Sequence, residues 1–95
     1  TSNGSNAVMV ASDGTGTLKM TGLKRPGEGQ VYQAWIQRGQ TVEPTDSLFL
    51  PRRNGTATAS IPDLNGVTAV MVSAEPSGGS PQPTTAPVIT VSIPS

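Results

Sequence analysis

The 95-residue chain predicts an all-β fold: an antiparallel β-sandwich of about seven short strands, immunoglobulin-like in size. Three observations carry this expectation. Eleven glycines and nine prolines punctuate the sequence too often for long helices. Between them, apolar and polar residues alternate in short bursts, the period of a half-buried strand. Turn signals recur every ~8–12 residues, the spacing of a sandwich or barrel.

The first burst is Ala7-Val8-Met9-Val10-Ala11, preceded by residues 1–6, which read as a frayed entry segment. Asp13-Gly14-Thr15-Gly16 reads as a tight hairpin turn. The second strand is Thr17–Thr21, with Leu18 and Met20 on one face and Lys19 on the other. A loop from Gly22 to Gly29 follows, with Leu23 tucked beneath it. The longest burst, Gln30–Arg38, places Tyr32, Ala34 and Ile36 on one face and Val31, Gln33 and Trp35 on the other. Apolar groups on both faces mark a central strand. Thr41–Pro44 reads as a short edge segment and Ser47–Leu50 as a separate strand stopped by Pro51. Arg52-Arg53-Asn54-Gly55 reads as a hairpin turn, on the strength of its Asn-Gly pair. Thr56–Ile61 alternates cleanly, Val67–Ala74 reads as a buried strand, and Val88–Ile93 is the last.

Composition excludes several classes. The length suits one domain, 1–95, and folding would remove about 64% of the unfolded chain's surface from water, enough for a small core. There is no cysteine, hence no disulfide and no thiolate metal site. There is no histidine, which removes the commonest general base and metal ligand. Six basic and six acidic residues balance, so the composition carries no strong electrostatic footprint for nucleic acid or anionic lipid. No apolar run reaches the ~20 residues of a membrane helix. The start at Thr1-Ser2-Asn3-Gly4 fits either a mature protein or a domain cut from something longer.

Candidate chemistry is sparse. Gly14-Thr15-Gly16 lacks the third glycine of a dinucleotide fingerprint, and no phosphate-binding Gly-x-x-x-x-Gly-Lys run exists. No Gly-x-Ser-x-Gly elbow is present, and the acids are scattered rather than paired. We therefore read no catalytic, cofactor or metal residue, and no enzyme. Glu75 alone among the acids ends a core strand. A structural carboxylate accepting N–H bonds from the Gly78-Gly79 turn is its expected role, against a catalytic one. Trp35 is expected to plug the core, with the Tyr32 hydroxyl reaching a backbone partner at the rim; an exposed Trp35 would instead offer a sugar platform. Arg38, Arg52 and Arg53, with Lys24 and Arg25, could form one basic surface for an acidic partner or cell-wall polymer. Solvated turn charges are the plainer reading.

Two stretches carry a family resemblance. Val31-Tyr32-Gln33-Ala34-Trp35-Ile36 resembles a Tyr-Gln-x-Trp-apolar strand. Val72-Ser73-Ala74-Glu75-Pro76-Ser77-Gly78-Gly79-Ser80-Pro81-Gln82-Pro83-Thr84 resembles a Val-x-x-Glu-Pro-x-Gly-Gly-Ser-x-x-Pro-Thr turn. Together they are similar to the C-terminal extracytoplasmic domain of anti-sigma-K-type factors. The likeness runs in order along essentially the whole chain, with Tyr32, Trp35, Glu75, Pro76, Gly78, Gly79 and Pro83 as its signature. It departs at Thr41–Phe49, where such domains often read Pro-Val-Ser-Ala-Gly-x-Phe. The resemblance implies a non-catalytic module on the extracytoplasmic face of a bacterial membrane. In the full-length protein it implies a sigma factor held by a cytoplasmic domain, a transmembrane helix and site-specific proteases as partners. A cell-wall or carbohydrate-binding module is the alternative.

Overall fold

The computed structural model describes residues 6–93. Seven strands follow in chain order among them: β1 (Asn6–Ser12), β2 (Thr15–Thr21), β3 (Gln30–Arg38), β4 (Thr41–Phe49), β5 (Ala57–Ile61), β6 (Val67–Pro76) and β7 (Ile89–Ser92). They form two antiparallel sheets, β1-β2-β5 and β4-β3-β6-β7. The chain makes the β1-β2 hairpin, crosses to the second sheet for β3 and β4, returns for β5 and crosses again for β6 and β7. The sequence predicts the antiparallel sandwich; the strand order adds that its connections are Greek-key. β1 lies beside β7 and β4 beside β5, so the edges of one sheet shelter those of the other. Of the expected entry segment, residues 1–5 lie outside the described residues, and Asn6 already belongs to β1.

The core lies between the sheets and follows strand alternation. β2 contributes Leu18 and Met20, and β5 contributes Ala57, Ala59 and Ile61. The second sheet answers with Tyr32, Ala34, Ile36, Val70, Val72 and Ile89. Leu23 enters from the 22–29 loop and is 6% exposed. Each fully buried aliphatic side chain here contributes about 1.5–3 kcal/mol. β3 is central, flanked by β4 and β6.

Local backbone chemistry sets the turns. Asp13 (φ 53°) and Gly14 (φ 80°) are both left-handed, the requirement of the two-residue turn that closes β1 onto β2. Asn54-Gly55 also turns the chain, yet not as the expected hairpin. β4 pairs with β3 and β5 with β2, so this turn sits in a crossover between sheets. Asn54 Oδ1 accepts bonds from the Thr56 amide and hydroxyl at 3.2 and 2.7 Å, and the Gly55 amide bonds Arg52 O at 2.9 Å.

β4 is likewise one strand rather than two. Its pairing with β3 shifts between Gln33 and Trp35, so that Leu48 faces Gln33 and Pro44 faces Trp35. The Thr45 hydroxyl donates to Ala34 O at 2.6 Å across this irregularity. Pro44 is tolerated because β4 is an edge strand.

Gly55 fastens two loops. Leu23 N bonds Gly55 O at 3.0 Å, and a Cβ on Gly55 would lie 3.1 Å from Leu23 O. Gly39 is also left-handed (φ 59°), but a Cβ there meets nothing within 4 Å. Gly55→Ala therefore costs about 1–3 kcal/mol of stability and Gly39→Ala distinctly less. Urea unfolding midpoints measure this, and equal costs would refute the steric role assigned to the Leu23 contact.

Candidate functional site

The outer face of the second sheet, turned away from the core, carries a buried polar cluster. Register pairs Val31 with Glu75, Gln33 with Ser73 and Trp35 with Met71, opposite in facing to Tyr32, Ala34 and Ile36. Gln33, Trp35, Ser73 and Glu75 are each no more than 2% exposed. Residues 77–88, the connection from β6 to β7, lie over this face as a strap. Trp35 is thus buried as expected, but on the face opposite the inter-sheet core. Tyr32, Ala34 and Ile36 already occupy the inner side, and alternation turns Trp35 outward.

Hydrogen bonds hold the strap in place. The Trp35 indole N–H donates to Ser73 Oγ at 2.8 Å, and the Ser73 hydroxyl donates to Glu75 Oε2 at 2.6 Å. Glu75 Oε1 accepts the Thr84 hydroxyl at 2.6 Å, and the Thr84 amide bridges both carboxylate oxygens at 3.0 and 3.1 Å. Gln33 reads the Ser80 backbone at both ends: Oε1 accepts its N–H at 2.9 Å and Nε2 donates to its carbonyl at 3.1 Å. The Thr85 hydroxyl donates to Ala74 O at 2.8 Å, and Val88 N bonds Val72 O at 2.8 Å. Among the described residues no buried side-chain nitrogen or oxygen lacks a partner.

Glu75 thus anchors the strap at Thr84. This corrects the expectation that it would serve the Gly78-Gly79 turn. That turn closes on itself, with Gly79 N bonding Pro76 O at 2.9 Å and Gly78 left-handed at φ 93°. Pro76 ends β6 opposite Gln30, and a Cβ on Gly79 would lie 3.2 Å from the Leu48 side chain. Pro83 is exposed in the strap, next to Thr84. Burial alone would raise the Glu75 carboxyl. The bonds from Ser73 and from the Thr84 side chain and backbone outweigh it and hold the group below its ordinary 4.5. The Tyr32 hydroxyl donates to Lys24 O at 2.6 Å, the rim contact the sequence predicts, and burial pushes that phenol up.

The basic residues divide. Arg38 lies about 20 Å along β3 from Tyr32. It is engaged there: Nη1 pairs with Glu43 at 3.0 Å, Nη2 with Asp63 at 3.6 Å, and Nε donates to Asn65 O at 3.0 Å. It ties the β3-β4 turn to the β5-β6 loop and does not join the other cations. Arg52 and Arg53 do converge with Lys24 and Arg25 around a depression of ≈ 460 Å³ shared with Leu23 and Pro51. Beside Arg38, a hollow of ≈ 240 Å³ lined by Ile36, Pro44 and Ile61 lies below the size usual for a small-molecule site. Among the described residues no group of three or more carboxylates could hold a metal ion.

Sequence reasoning missed Ser73, Thr84 and the strap contact of Gln33. All three stand inside the two quoted motifs, so the signal was present as pattern without a partner assigned.

Fold and cluster together define a β-sandwich module in which Tyr32 and Glu75 hold loop backbone in place. The sequence profile of the anti-sigma-K factor RskA C-terminal region matches residues 1–88, and the chain belongs to this family of regulators. It is 35% identical over 83 residues to the anti-sigma-K factor RskA of Mycobacterium tuberculosis, covering 85% of this chain and 36% of that protein. It is 34% identical over 83 residues to the dysfunctional anti-sigma-K factor RskA of Mycobacterium bovis, with the same 85% and 36% coverage. It is 32% identical over 84 residues to the anti-sigma-K factor RskA of Mycolicibacterium vanbaalenii, covering 86% of this chain and 35% of that protein. The chain thus spans about a third of the length of the curated relatives it matches. No solved structure matches it.

Removing the Glu75 carboxylate leaves the Thr84 amide and the Ser73 hydroxyl without their acceptor, so Glu75→Ala costs about 1–3 kcal/mol. Because the folded carboxyl lies below 4.5, its contribution is complete above about pH 5 and is lost as pH falls through the folded-state value. Thermal unfolding followed from pH 7 to about pH 3 reads this as a falling midpoint that flattens in Glu75→Gln. An equally steep fall in that variant would assign the acid sensitivity elsewhere.

Proposed function

We propose that this chain is the extracytoplasmic regulatory domain of a membrane-anchored bacterial anti-sigma factor, gating proteolysis of the regulator and release of its sigma factor. The observation that carries this is the family match across residues 1–88 of a chain that forms a closed sandwich. The physical task is steric. A protease needs an extended, accessible segment. Asn6–Ser12 is instead zipped along β2, from Asn6 opposite Thr21 to Ser12 opposite Thr15. Any cleavable segment leading into β1 stays close to the folded body while that ladder holds. Loosening the sandwich, by force or by a partner, frees it.

The carbohydrate-binding alternative would use an exposed aromatic platform. Trp35 and Tyr32 are 1% and 5% exposed, which leaves neither ring face open for stacking. Trp35 emission is therefore expected to be blue-shifted, resistant to quenchers and unchanged by added glycans. A red-shifted emission that glycans alter would favour the sugar-binding reading instead.

Deleting this domain from the full-length regulator is expected to change sigma-dependent transcription together with cleavage of the regulator. Glu75→Ala, by destabilising the sandwich, should move both in the same direction more weakly. Unchanged transcription and cleavage after deletion would sink the gating role.

A further inference from the structure

Strand register sorts the loops by end. Asn6 pairs with Thr21, Met20 with Ala57 and Gln30 with Pro76. The entry to β1, the 22–29 loop, the 50–56 crossover and the start of the strap therefore share one end of the sandwich. The Asp13-Gly14 and Gly39-Gln40 turns and the 62–66 loop lie at the other.

The entry end carries Lys24, Arg25, Arg52 and Arg53. All four are exposed, and none forms an ion pair among the described residues. They surround the ≈ 460 Å³ depression that Leu23 and Pro51 help to line. Leu50, 53% exposed, shares a second depression with Arg25 on this end. Glu28, the one carboxylate in the two loops, lines that second depression. The chain has zero formal net charge, so this local excess orients the molecule without making it generally basic. The site is also preformed. Leu23 N bonds Gly55 O at 3.0 Å, Tyr32 holds Lys24 O at 2.6 Å, and Arg52 N bonds Thr56 O at 2.8 Å.

We infer that this end docks on an anionic phospholipid surface. Phosphate head groups lie over Lys24, Arg25, Arg52 and Arg53, and Leu50 enters the interfacial zone. The inference rests on the membrane anchoring proposed above and specifies how the domain sits. The matched family region is C-terminal, and this chain covers about a third of its relatives. In a protein built in that way, the remainder joins at β1, on the basic end. Long cationic side chains beside a protruding leucine suit head groups at an apolar boundary. A neutral glycan would need an exposed ring for stacking, and neither Trp35 nor Tyr32 provides one.

The test uses the 95-residue chain with sedimented vesicles of phosphatidylcholine, with or without roughly 30% phosphatidylglycerol, at low salt. Each cation near an anionic surface strengthens partitioning about fivefold, so Arg52→Gln/Arg53→Gln should weaken binding about 25-fold, and Lys24→Gln/Arg25→Gln as much. Leu50→Ser should weaken it severalfold, whereas Lys19→Gln, on the outer face of the other sheet, should not. Raising salt to about 0.5 M should abolish binding. All these positions are exposed, and an unchanged unfolding midpoint confirms that the variants fold. Four results would each overturn the inference: no binding to anionic vesicles, equal binding to neutral ones, full binding by the arginine variants, or displacement by dilute inorganic phosphate. Binding to polyglutamate without binding to vesicles would assign the surface to an acidic protein instead. The assay involves neither sigma factor nor protease. A deletion that leaves transcription unchanged sinks gating without touching this result, and absent vesicle binding sinks the docking alone.

Discussion

A carboxylate removed from water must be met by donors or it unfolds its surroundings, and Glu75 is completely buried. Its donors come from two directions. Ser73, two residues back on the same strand, supplies one, and Thr84, across the β6-β7 connection, supplies an amide and a hydroxyl. The second source fixes the path of residues 77–88. The strap must return over the outer face of the sheet, and there it also meets Gln33 through the Ser80 backbone. Trp35 completes the arrangement by donating to Ser73, so the indole is polar-satisfied as well as buried. One buried charge thereby explains why β3 and β6 are covered on both faces while β2 and β5 are covered on one.

That difference shows in the sequence. β2 and β5 read as clean alternations, and their inward residues Leu18, Met20, Ala57, Ala59 and Ile61 are core residues. The Asp13-Gly14 hairpin and the Tyr32 rim contact were equally legible, because each depends on neighbours in sequence or on one residue's chemistry. The facing of Trp35 was half legible. Alternation set it against Tyr32, but which face met the other sheet depended on pairing, and large aromatics usually go inward. Asn54-Gly55 reads as a turn in sequence but not as the crossover it is, because turn chemistry does not record which strands the flanking residues pair with. The Glu75–Thr84 bond spans nine residues through a proline-rich segment whose path no periodicity describes. A family pattern could preserve both residues without stating that they touch.

The two ends of the sandwich use similar side chains for different purposes. At the turn end, Arg38 is satisfied by Glu43, Asp63 and the Asn65 carbonyl, and binds two loops into one rim. At the entry end, four cations meet no carboxylate partner among the described residues. Exposed ion pairs stabilise little, about 0–1 kcal/mol each, so leaving these unpaired costs the fold almost nothing. Charge placed so cheaply in stability is free to serve orientation, whereas the geometry of Arg38 serves architecture. Counting basic residues between positions 24 and 53 merges the two groups; the strand registers separate them.

The uneven covering of the sheets also bears on the proposed gating role. The strap bonds to β3 and β6 through Gln33, Ala74 and Glu75, and none of the bonds described for it reaches β1. β1 is the outermost strand of the thinner sheet, and its outward residues Val8 and Val10 are 63% and 48% exposed. Its free energy of opening is therefore drawn from one ladder and the half-buried Ala7 and Met9, while β3 and β6 draw on two packed faces and a buried polar network. Stability within a domain is not uniform, and segments with fewer buried contacts open first. By this asymmetry β1 is expected to open before the sheet that holds the signature residues. The double-covered sheet is the fixed frame against which a single strand can yield.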